Sequence, residues 1–283
     1  MVFSQTGVSS NFKKTTYMAN NEIVGLVKQT PQILTTIYGD IAQPSVKKEG
    51  TALETVFEFS TSFLLPIKLL NEKFKLNFEK RLNDYKDKLN AVPEEELCEV
   101  NAQIGTPLIE KLSYTTNDEI ADLFTNLLTK ASSTKTVNLA HPSFVQLIER
   151  LSVDEARIIK HLKNMDIIPC ITFRAHMTEK NKGFYEILKN GTMLQFEVEL
   201  LFPQNITTYL DNLTSMGILD ISHGLHKMDD NIYNPIYEKY EYEKVNESYI
   251  KTEAFNRVEK KKSYFQITNF GKTFIIACNS IGK

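Results

Sequence analysis

The stretch LNEKFKLNFEKRLNDYKDKL, residues 70–89, carries the helical pattern from which the fold can be worked out. Its large apolar residues recur at steps of three and four, which places them on one face of a helix. They are Leu70, Phe74, Phe78, Leu82, Tyr85 and Leu89. Charges of both signs alternate on the opposite face, as is typical of a solvated surface, and Pro93 ends the pattern. We predict an amphipathic helix whose apolar stripe is a candidate for self-association or partner contact.

Two further helices are predicted from the polar residues that precede them. Thr116-Asn117-Asp118-Glu119 has the spacing of a capping box, in which the threonine oxygen accepts from a backbone amide and the glutamate reaches back. Apolar residues at helical period follow up to Ala131. Ser152-Val153-Asp154-Glu155 has the same spacing ahead of another apolar run. Both segments therefore predict helices with defined starting points.

The chain divides near residue 151 into a helical part and a part of mixed character. Residues 1–20 are polar and predict a disordered tail. Residues 21–151 predict a bundle of about six helices, within which 94–112 is expected to be helical with a break near residues 105–107. Residues 152–283 form the second part.

Period-two alternation appears in this second part. Met193–Phe202 alternates apolar and polar residues, which predicts a strand with one buried face. A helix over residues 204–216 follows, and Gly217 stands where a left-handed C-cap belongs. The remaining elements are two short strands and a last helix, over residues 218–221, over 264–268 and from Asn269 onward.

The order of these elements predicts a winged-helix-like module. Residues 231–258, rich in tyrosine, glutamate and lysine, are interpreted as a long exposed hairpin within it. The predicted fold class is therefore mainly α, an N-terminal helical bundle followed by a small α+β winged-helix-like module.

Composition places the chain among globular proteins. It has 283 residues, 42% hydrophobic and 24% charged, and a formal net charge of −2. The 11 glycines and 9 prolines are too few for collagen-like or low-complexity classes. Three widely spaced cysteines without metal or redox spacing, together with no apolar leader segment, favour a reducing compartment. We therefore expect a cytoplasmic protein.

Four groups of residues carry a likeness to a known family: Ile37–Asp40 with Pro44 and Lys48–Gly50, Glu119–Ala131, His141–Phe144 with Leu151–Ala156, and Ile267–Lys272 with Phe274. Together they resemble the bacterial Abi-alpha (abortive infection alpha) family. The likeness covers residues 22–165 well and the rest loosely, and His-Pro-Ser-Phe followed by Leu-Ser-x-x-Glu-Ala is its most specific part. The resemblance implies defence against phage, as a sensor or an effector, and it supplies no catalytic residues.

Motifs for common chemistry are missing from the sequence. No glycine-rich phosphate loop and no Gly-x-Ser-x-Gly nucleophile motif occurs. His223 and His226 stand three residues apart near two aspartates, but no further ligands have metal spacing. We therefore predict no metal site, no cofactor and no catalytic residue, while an enzyme with an unfamiliar site, such as a nuclease or another hydrolase, remains an alternative.

His141 and Ser143 are the most pointed candidates for a binding role. They flank Pro142 in a loop that leads into a predicted helix. The structural interpretation, in which they brace and cap the helix start, is favoured over ligand contact or a general base.

A winged helix raises the question of DNA, and the charges argue against it. The helix over residues 204–216 has no lysine or arginine, whereas affinity for DNA comes largely from cations at phosphates. Lys260, Lys261 and Lys262 form one basic cluster, but glutamates surround it on the predicted hairpin. The three lysines are therefore kept only as candidate binding residues, and a protein partner, including a phage protein or a second copy, is preferred over nucleic acid.

A membrane-perturbing effector is the other alternative. Residues 53–70 are rich in large apolar side chains, yet only Phe59–Ile67 is free of charge, far short of the roughly 20 residues of a span. Conditional contact of this predicted helical hairpin with a membrane is retained as an alternative. We favour a non-enzymatic anti-phage protein that acts by protein–protein interaction.

Overall fold

The computed structural model describes residues 72–178, 183–222 and 224–280, with side chains from residue 76 onward. The predicted tail over residues 1–20, the segment over 53–70 and His223 lie outside the described residues. In the described part the fold is mainly α with one antiparallel sheet, which confirms the coarse fold class.

The described chain groups into two compact units that are interleaved in sequence. One contains residues 72–116 and 128–142, and the other contains 117–127 and 143–280. These groups reflect contacts within the folded chain, and the domain boundary near residue 151 stays a prediction.

The first unit is helical. Helix α1 spans Glu72–Leu89 and α2 spans Ala102–Tyr114, while Glu94–Glu96 forms a single 3₁₀ turn. The helix predicted from the opening stretch is confirmed, and its described stripe residues are buried: Phe78, Leu82, Tyr85 and Leu89. These four side chains belong to the core, so this part of the stripe does not offer the contact surface that we predicted.

Helix α2 is continuous, so the break predicted near residues 105–107 is wrong. Pro107 lies inside the helix and removes one backbone donor. Burial of Ile104, Leu108, Ile109 and Leu112 outweighs that loss, and Asn101 caps the first turn by accepting from the Gln103 amide at 2.8 Å.

Buried Arg81 closes the end of α2, a role that the sequence pattern did not reveal. Its Nη2 donates to the Thr116 carbonyl at 2.9 Å and its Nε to the Thr115 carbonyl at 3.3 Å. The guanidinium thereby satisfies carbonyls at the C-terminal end of α2, where backbone acceptors lack helical partners. A periodicity count assigns arginine to the solvated face, so the hydrogen bonds were not predictable from spacing.

Helix α3, Asp118–Ala131, starts one residue later than the predicted capping box implies. Asn117 is the cap, because its Oδ1 accepts from the Ile120 amide at 3.1 Å. The division between the two units falls within this helix, after residue 127.

The second unit contains helices α4 (Ser143–Glu149) and α5 (Val153–His161) and then the sheet. Strands β1 (Ile167–Met177), β2 (Phe184–Gly191), β3 (Leu219–Ile221) and β4 (Phe255–Ile267) pair antiparallel in the order β2-β1-β4-β3. Strands β1 and β2 were not predicted from the sequence. The buried side of β1 switches between Cys170 and Ile171, so β1 lacks the simple alternation that marks a strand.

The strand predicted over Met193–Phe202 is wrong. Leu194–Glu197 forms the short helix α6, and an irregular segment follows it. The backbone amides of Leu201 and Phe202 are bound by a side chain rather than by a neighbouring strand. The alternation of apolar and polar residues did not reveal that a side chain binds these two amides.

The hairpin predicted over residues 231–258 is also wrong. This segment contains α8 (Asn234–Lys239) and α9 (Tyr242–Ile250), which pack on one face of the sheet. Tyr233, Ile236, Tyr237 and Tyr240 recur at helical steps and cover Phe173 and its neighbours. The many tyrosines serve a small second core rather than a projecting ribbon.

The predicted end of the module is confirmed. Helix α7 spans Ile206–Ser215, Gly217 has a φ of +72°, and α10 spans Asn269–Cys278 after β4. The winged-helix assignment of the second unit stays a prediction.

The capping box at the start of α5 is confirmed in both directions. The Glu155 amide donates to Ser152 Oγ at 3.3 Å, and the Ser152 amide donates to Glu155 Oε2 at 2.6 Å.

Ser152→Ala is expected to lower the free energy of unfolding by about 1 kcal/mol in urea denaturation, because one amide loses its acceptor. Ser248→Ala, on the exposed side of α9, is the control and should have less effect. An equal loss in the two variants would contradict the role of the cap.

Candidate functional site

The three candidate lysines do not form one basic patch. Lys260 and Lys262 pair across the sheet with Phe173 and Ile171, on the face that α8 and α9 cover. Lys261 pairs with Thr172 and lies on the opposite face. The period of a strand therefore divides a cluster that the sequence places together.

Lys260 and Lys262 are engaged by neighbouring aromatic and acidic groups. Lys260 Nζ lies 3.8 Å from the ring centroid of Tyr242 and 3.4 Å from Glu243 Oε1. Lys262 Nζ forms an ion pair with Asp230 and lies 5.7 Å from the Tyr233 ring. Cations held over aromatic rings and beside carboxylates stabilise the packing of α8 and α9.

His141 and Ser143 lie in different surroundings. His141 is exposed between the 3₁₀ turn Val137–Leu139 and α4, and Ser143 is the first residue of α4. The two fall in different units, and a binding role for either stays a prediction.

A buried carboxylate, Asp154, holds the backbone of the segment that precedes α7. Asp154, on the first turn of α5, is only 2% exposed. It accepts from the Leu201 amide at 2.7 Å, the Phe202 amide at 2.9 Å and the Tyr209 hydroxyl at 2.7 Å. Charge-assisted hydrogen bonds of this kind are about twice as strong as neutral ones, so Asp154 fixes the backbone of the segment before α7.

The ionisation of Asp154 reflects this environment. Burial alone would raise its pKa, but the hydrogen bonds from Leu201, Tyr209 and Phe202 stabilise the charged form and hold the pKa below its ordinary value. Asp154 is therefore a carboxylate at neutral pH and acts as an acceptor only.

Glu155 and Arg157 add hydrogen bonds next to those of Asp154. We call the hydrogen bonds of these three side chains the clamp. Glu155 Oε1 accepts from Asn212 Nδ2 at 2.7 Å, which ties α5 to α7. Arg157 donates to the Glu199 carbonyl and to Glu119 Oε1. The polar residues of this motif are thus used to hold helices and a loop in place.

The segment that this clamp holds exposes bulky apolar side chains. Leu201 is 57% exposed and Phe202 is 55% exposed, and Pro203 follows them on the surface. We call Leu201–Pro203 the apolar loop. Glu197 and Glu199, both exposed, precede it. Single exposed apolar residues are ordinary, but a rigid backbone that presents consecutive ones resembles the anchor of an interaction surface.

Metal-binding clusters and membrane-spanning helices are two features that the described ranges lack. No group of three or more His, Cys, Asp or Glu side chains there is placed to hold a metal ion. Within the same residues, no helix is long and apolar enough to cross a membrane.

The profile of the family Abortive infection alpha matches residues 71–278. The chain belongs to this family. An abortive infection alpha protein is thereby linked by its family to defence against phage, and the family named from the sequence is confirmed. The match begins at residue 71, so residues 22–70, which were expected to fit well, lie outside it. No curated protein matches the chain at a significant level.

One solved structure is similar to part of this abortive infection alpha protein. It is an uncharacterized protein from the hydrocarbon-degrading marine bacterium Alcanivorax borkumensis SK2, with 13% sequence identity and a TM-score of 0.31. The match covers 51% of this chain and 94% of that chain. At this level the likeness does not define a fold.

Two of the segments that carry the family likeness, His141–Phe144 and Ile267–Lys272 with Phe274, meet in the folded chain, whereas residues 37–50 lie outside the described residues. The Phe144 ring lies 5.4 Å from that of Phe270 and 5.2 Å from that of Phe274, both in edge contact. Thr268 caps α10 by accepting from the Gly271 amide at 2.8 Å. These residues of the abortive infection alpha pattern pack α4 against α10. Tyr209 and Asn212, which complete the clamp, gave no signal in the sequence.

Proposed function

We propose that this abortive infection alpha protein acts in the cytoplasm by binding another protein, as a sensor or effector of phage infection, without a catalytic centre of its own. The observation that carries the proposal is the apolar loop held by buried Asp154. The winged-helix-like module that we predicted is the scaffold for this contact.

The carboxylates of the family motif are engaged inside the folded unit. Asp154 and Glu155, the two acidic residues of the Leu-Ser-x-x-Glu-Ala motif, are buried, with 2% and 3% of their surface exposed. Both accept hydrogen bonds from the surrounding structure. A general base needs reach to a substrate proton, whereas these groups face the interior of the unit. Their positions support a structural role and give no support to catalysis.

Asp154 also keeps the apolar side chains of Leu201 and Phe202 exposed to solvent. A flexible segment would be free to turn Leu201 and Phe202 inward, but the two bound amides hold the backbone of the apolar loop. Apolar side chains presented on a fixed backbone bind with little loss of conformational entropy, which favours them as anchors in protein interfaces.

The charges around the loop favour a protein over a membrane. Glu197 and Glu199 lie next to the apolar loop and would repel anionic lipid headgroups. The partner is expected to offer an apolar pocket with basic groups at its rim.

The double variant Leu201→Glu with Phe202→Glu is expected to abolish protection against phage, because charge at the anchor prevents burial in the pocket. Plating efficiency of a phage panel on cells that express each variant measures the effect. Both side chains are exposed, so the melting temperature should change little.

Leu225→Glu with Met228→Glu is the matched control. These residues are 62% and 92% exposed in another loop of the same unit, and protection should persist. Full protection by the Leu201 and Phe202 variant would refute the interface. Failure of the unaltered protein to protect against any phage of the panel would refute the defence role itself.

A further inference from the structure

The outer part of the sheet has one face that the helices α8 and α9 do not cover. Antiparallel partners point to the same side, so Arg174 shares this face with Glu186 and Glu259, and His176 shares it with Phe184 and Arg257. We call this set, with Lys261, the open sheet face. The opposite side carries Ile171, Phe173 and Ala175 under α8 and α9.

Three flat groups, those of Arg174, His176 and Phe184, cluster on the open sheet face. Arg174 Cζ is 4.3 Å from the ring centroid of Phe184, and the His176 ring centroid is 5.8 Å from the same point. Phe184 is 47% exposed. The result is a small aromatic platform in which the guanidinium lies over the Phe184 ring, the imidazole is tilted beside it, and the rest of the ring is open to solvent.

The two carboxylates of this face orient the platform. Arg174 donates from Nε and Nη2 to Glu186 Oε2 at 3.2 and 3.1 Å, and His176 Nε2 lies 3.0 Å from Glu259 Oε2. Each pair fixes a planar group, which reduces the entropy that is lost when a ligand stacks on it.

Two further cations flank the platform. Arg257 and Lys261 are exposed on β4 and form no ion pair with any residue in the described ranges. They stand four positions apart on the strand, a distance of about 13 Å. The face thus has three permanent cations and two carboxylates, and both carboxylates are engaged by Arg174 and His176.

We propose that the open sheet face binds single-stranded nucleic acid, with Phe184 stacking on a base and Arg257 and Lys261 contacting phosphates. Stacking platforms beside cations are the physical basis of such binding, which tolerates many sequences. An acidic peptide would use the cations but has no need for an exposed flat ring. The charges that disfavour DNA in the sequence are those of helix α7 and the glutamates around Lys260–Lys262, whereas the two glutamates of the open sheet face are engaged by Arg174 and His176.

The test measures fluorescence anisotropy of labelled dT12 and U12 with the full-length protein at 50 and 200 mM NaCl. The expected result is binding that weakens at least fivefold between these salt concentrations. Arg257→Ala with Lys261→Ala, and separately Phe184→Ala, should each weaken binding about tenfold. Comparison of the two oligonucleotides distinguishes DNA from RNA as the natural ligand, and binding of either supports the proposal.

Lys244→Ala with Lys251→Ala is the matched control. Both lysines are exposed on or next to α9, and the variant removes the same charge from another surface. It should retain affinity within about twofold. Absence of salt-dependent binding, an equal loss in the control, or full affinity in both sheet variants with unchanged melting temperature would overturn the proposal. Selective binding of poly-glutamate in place of both oligonucleotides would also overturn it and would indicate an acidic peptide.

Discussion

Asp154→Ala is expected to lower the free energy of unfolding by about 3–5 kcal/mol, the largest loss for a single polar residue of the second unit. Three donors lose their acceptor: the amides of Leu201 and Phe202 and the hydroxyl of Tyr209. Tyr209 is buried, and its hydroxyl would lose its acceptor and keep only the side chain of Asn205 as a partner. Urea denaturation followed by circular dichroism measures the loss. Asp211→Ala, at an exposed position of α7, is the control and should stay within about 0.5 kcal/mol.

The effect of Asp154 should depend on pH with a defined sign. Its pKa in the folded protein is below the ordinary value, because the three hydrogen bonds outweigh burial. Such a group stabilises the fold above its unfolded pKa and loses that contribution as pH falls through the folded pKa. The stability difference between the protein and Asp154→Asn should therefore shrink below about pH 4. A difference that is constant from pH 7 to pH 3 would contradict the role of the charge.

Gly271→Ala is expected to destabilise the second unit by about 3 kcal/mol, or to prevent its folding. A Cβ atom at Gly271 would lie 2.2 Å from the Ile218 carbonyl oxygen and 2.9 Å from the Ile218 carbonyl carbon. Both are backbone atoms, so no side chain can move aside. Thr268 binds the same backbone through its amide, which donates to the Ile218 carbonyl at 3.1 Å. The start of α10 would have to separate from the residue before β3.

Gly224→Ala separates crowding from backbone conformation. Gly224 has a φ of +76° but nothing within 4 Å of an added Cβ. The cost there should be only about 1 kcal/mol, from the left-handed conformation alone. Thermal denaturation of both variants compares the two effects. A loss at Gly271 no larger than that at Gly224 would show that the close approach to Ile218 is not a constraint.

The sequence predicted those elements whose signals are local. The helix over residues 72–89, the capping box at Ser152 and the left-handed Gly217 each depend on residues within one turn of each other. These were confirmed. Asn117 replaced Thr116 as a cap, because adjacent polar residues compete for the same role.

The errors occurred where long-range contacts decide the structure. Met193–Phe202 alternates like a strand, but an acceptor 47 residues earlier, Asp154, takes the Leu201 amide. The tyrosines from Tyr233 to Tyr242 were interpreted as a hairpin, whereas the unpredicted strand β1 gives them a surface on which to pack as helices. Without β1 neither the second core nor the open sheet face was predictable.

The candidate residues show the same division. A count of charges joined Lys260, Lys261 and Lys262, although alternate residues of a strand face opposite sides. The family motif was visible in sequence as Leu-Ser-x-x-Glu-Ala, but the use of Asp154 within it depended on a loop whose path only the fold reveals.

Hydrogen exchange of the Leu201 and Phe202 amides tests most directly the claim that a buried carboxylate fixes an exposed apolar loop. At neutral pH both amides should exchange at least about 100-fold more slowly than in an unstructured peptide, although their side chains are exposed. Asp154→Asn keeps one acceptor oxygen and puts a donor in place of the other, so at least one of the two amides should lose most of its protection while the amides of α7 remain protected. Fast exchange of both amides in the unaltered protein would contradict the account, because the apolar loop would then be mobile and Asp154 would not hold it.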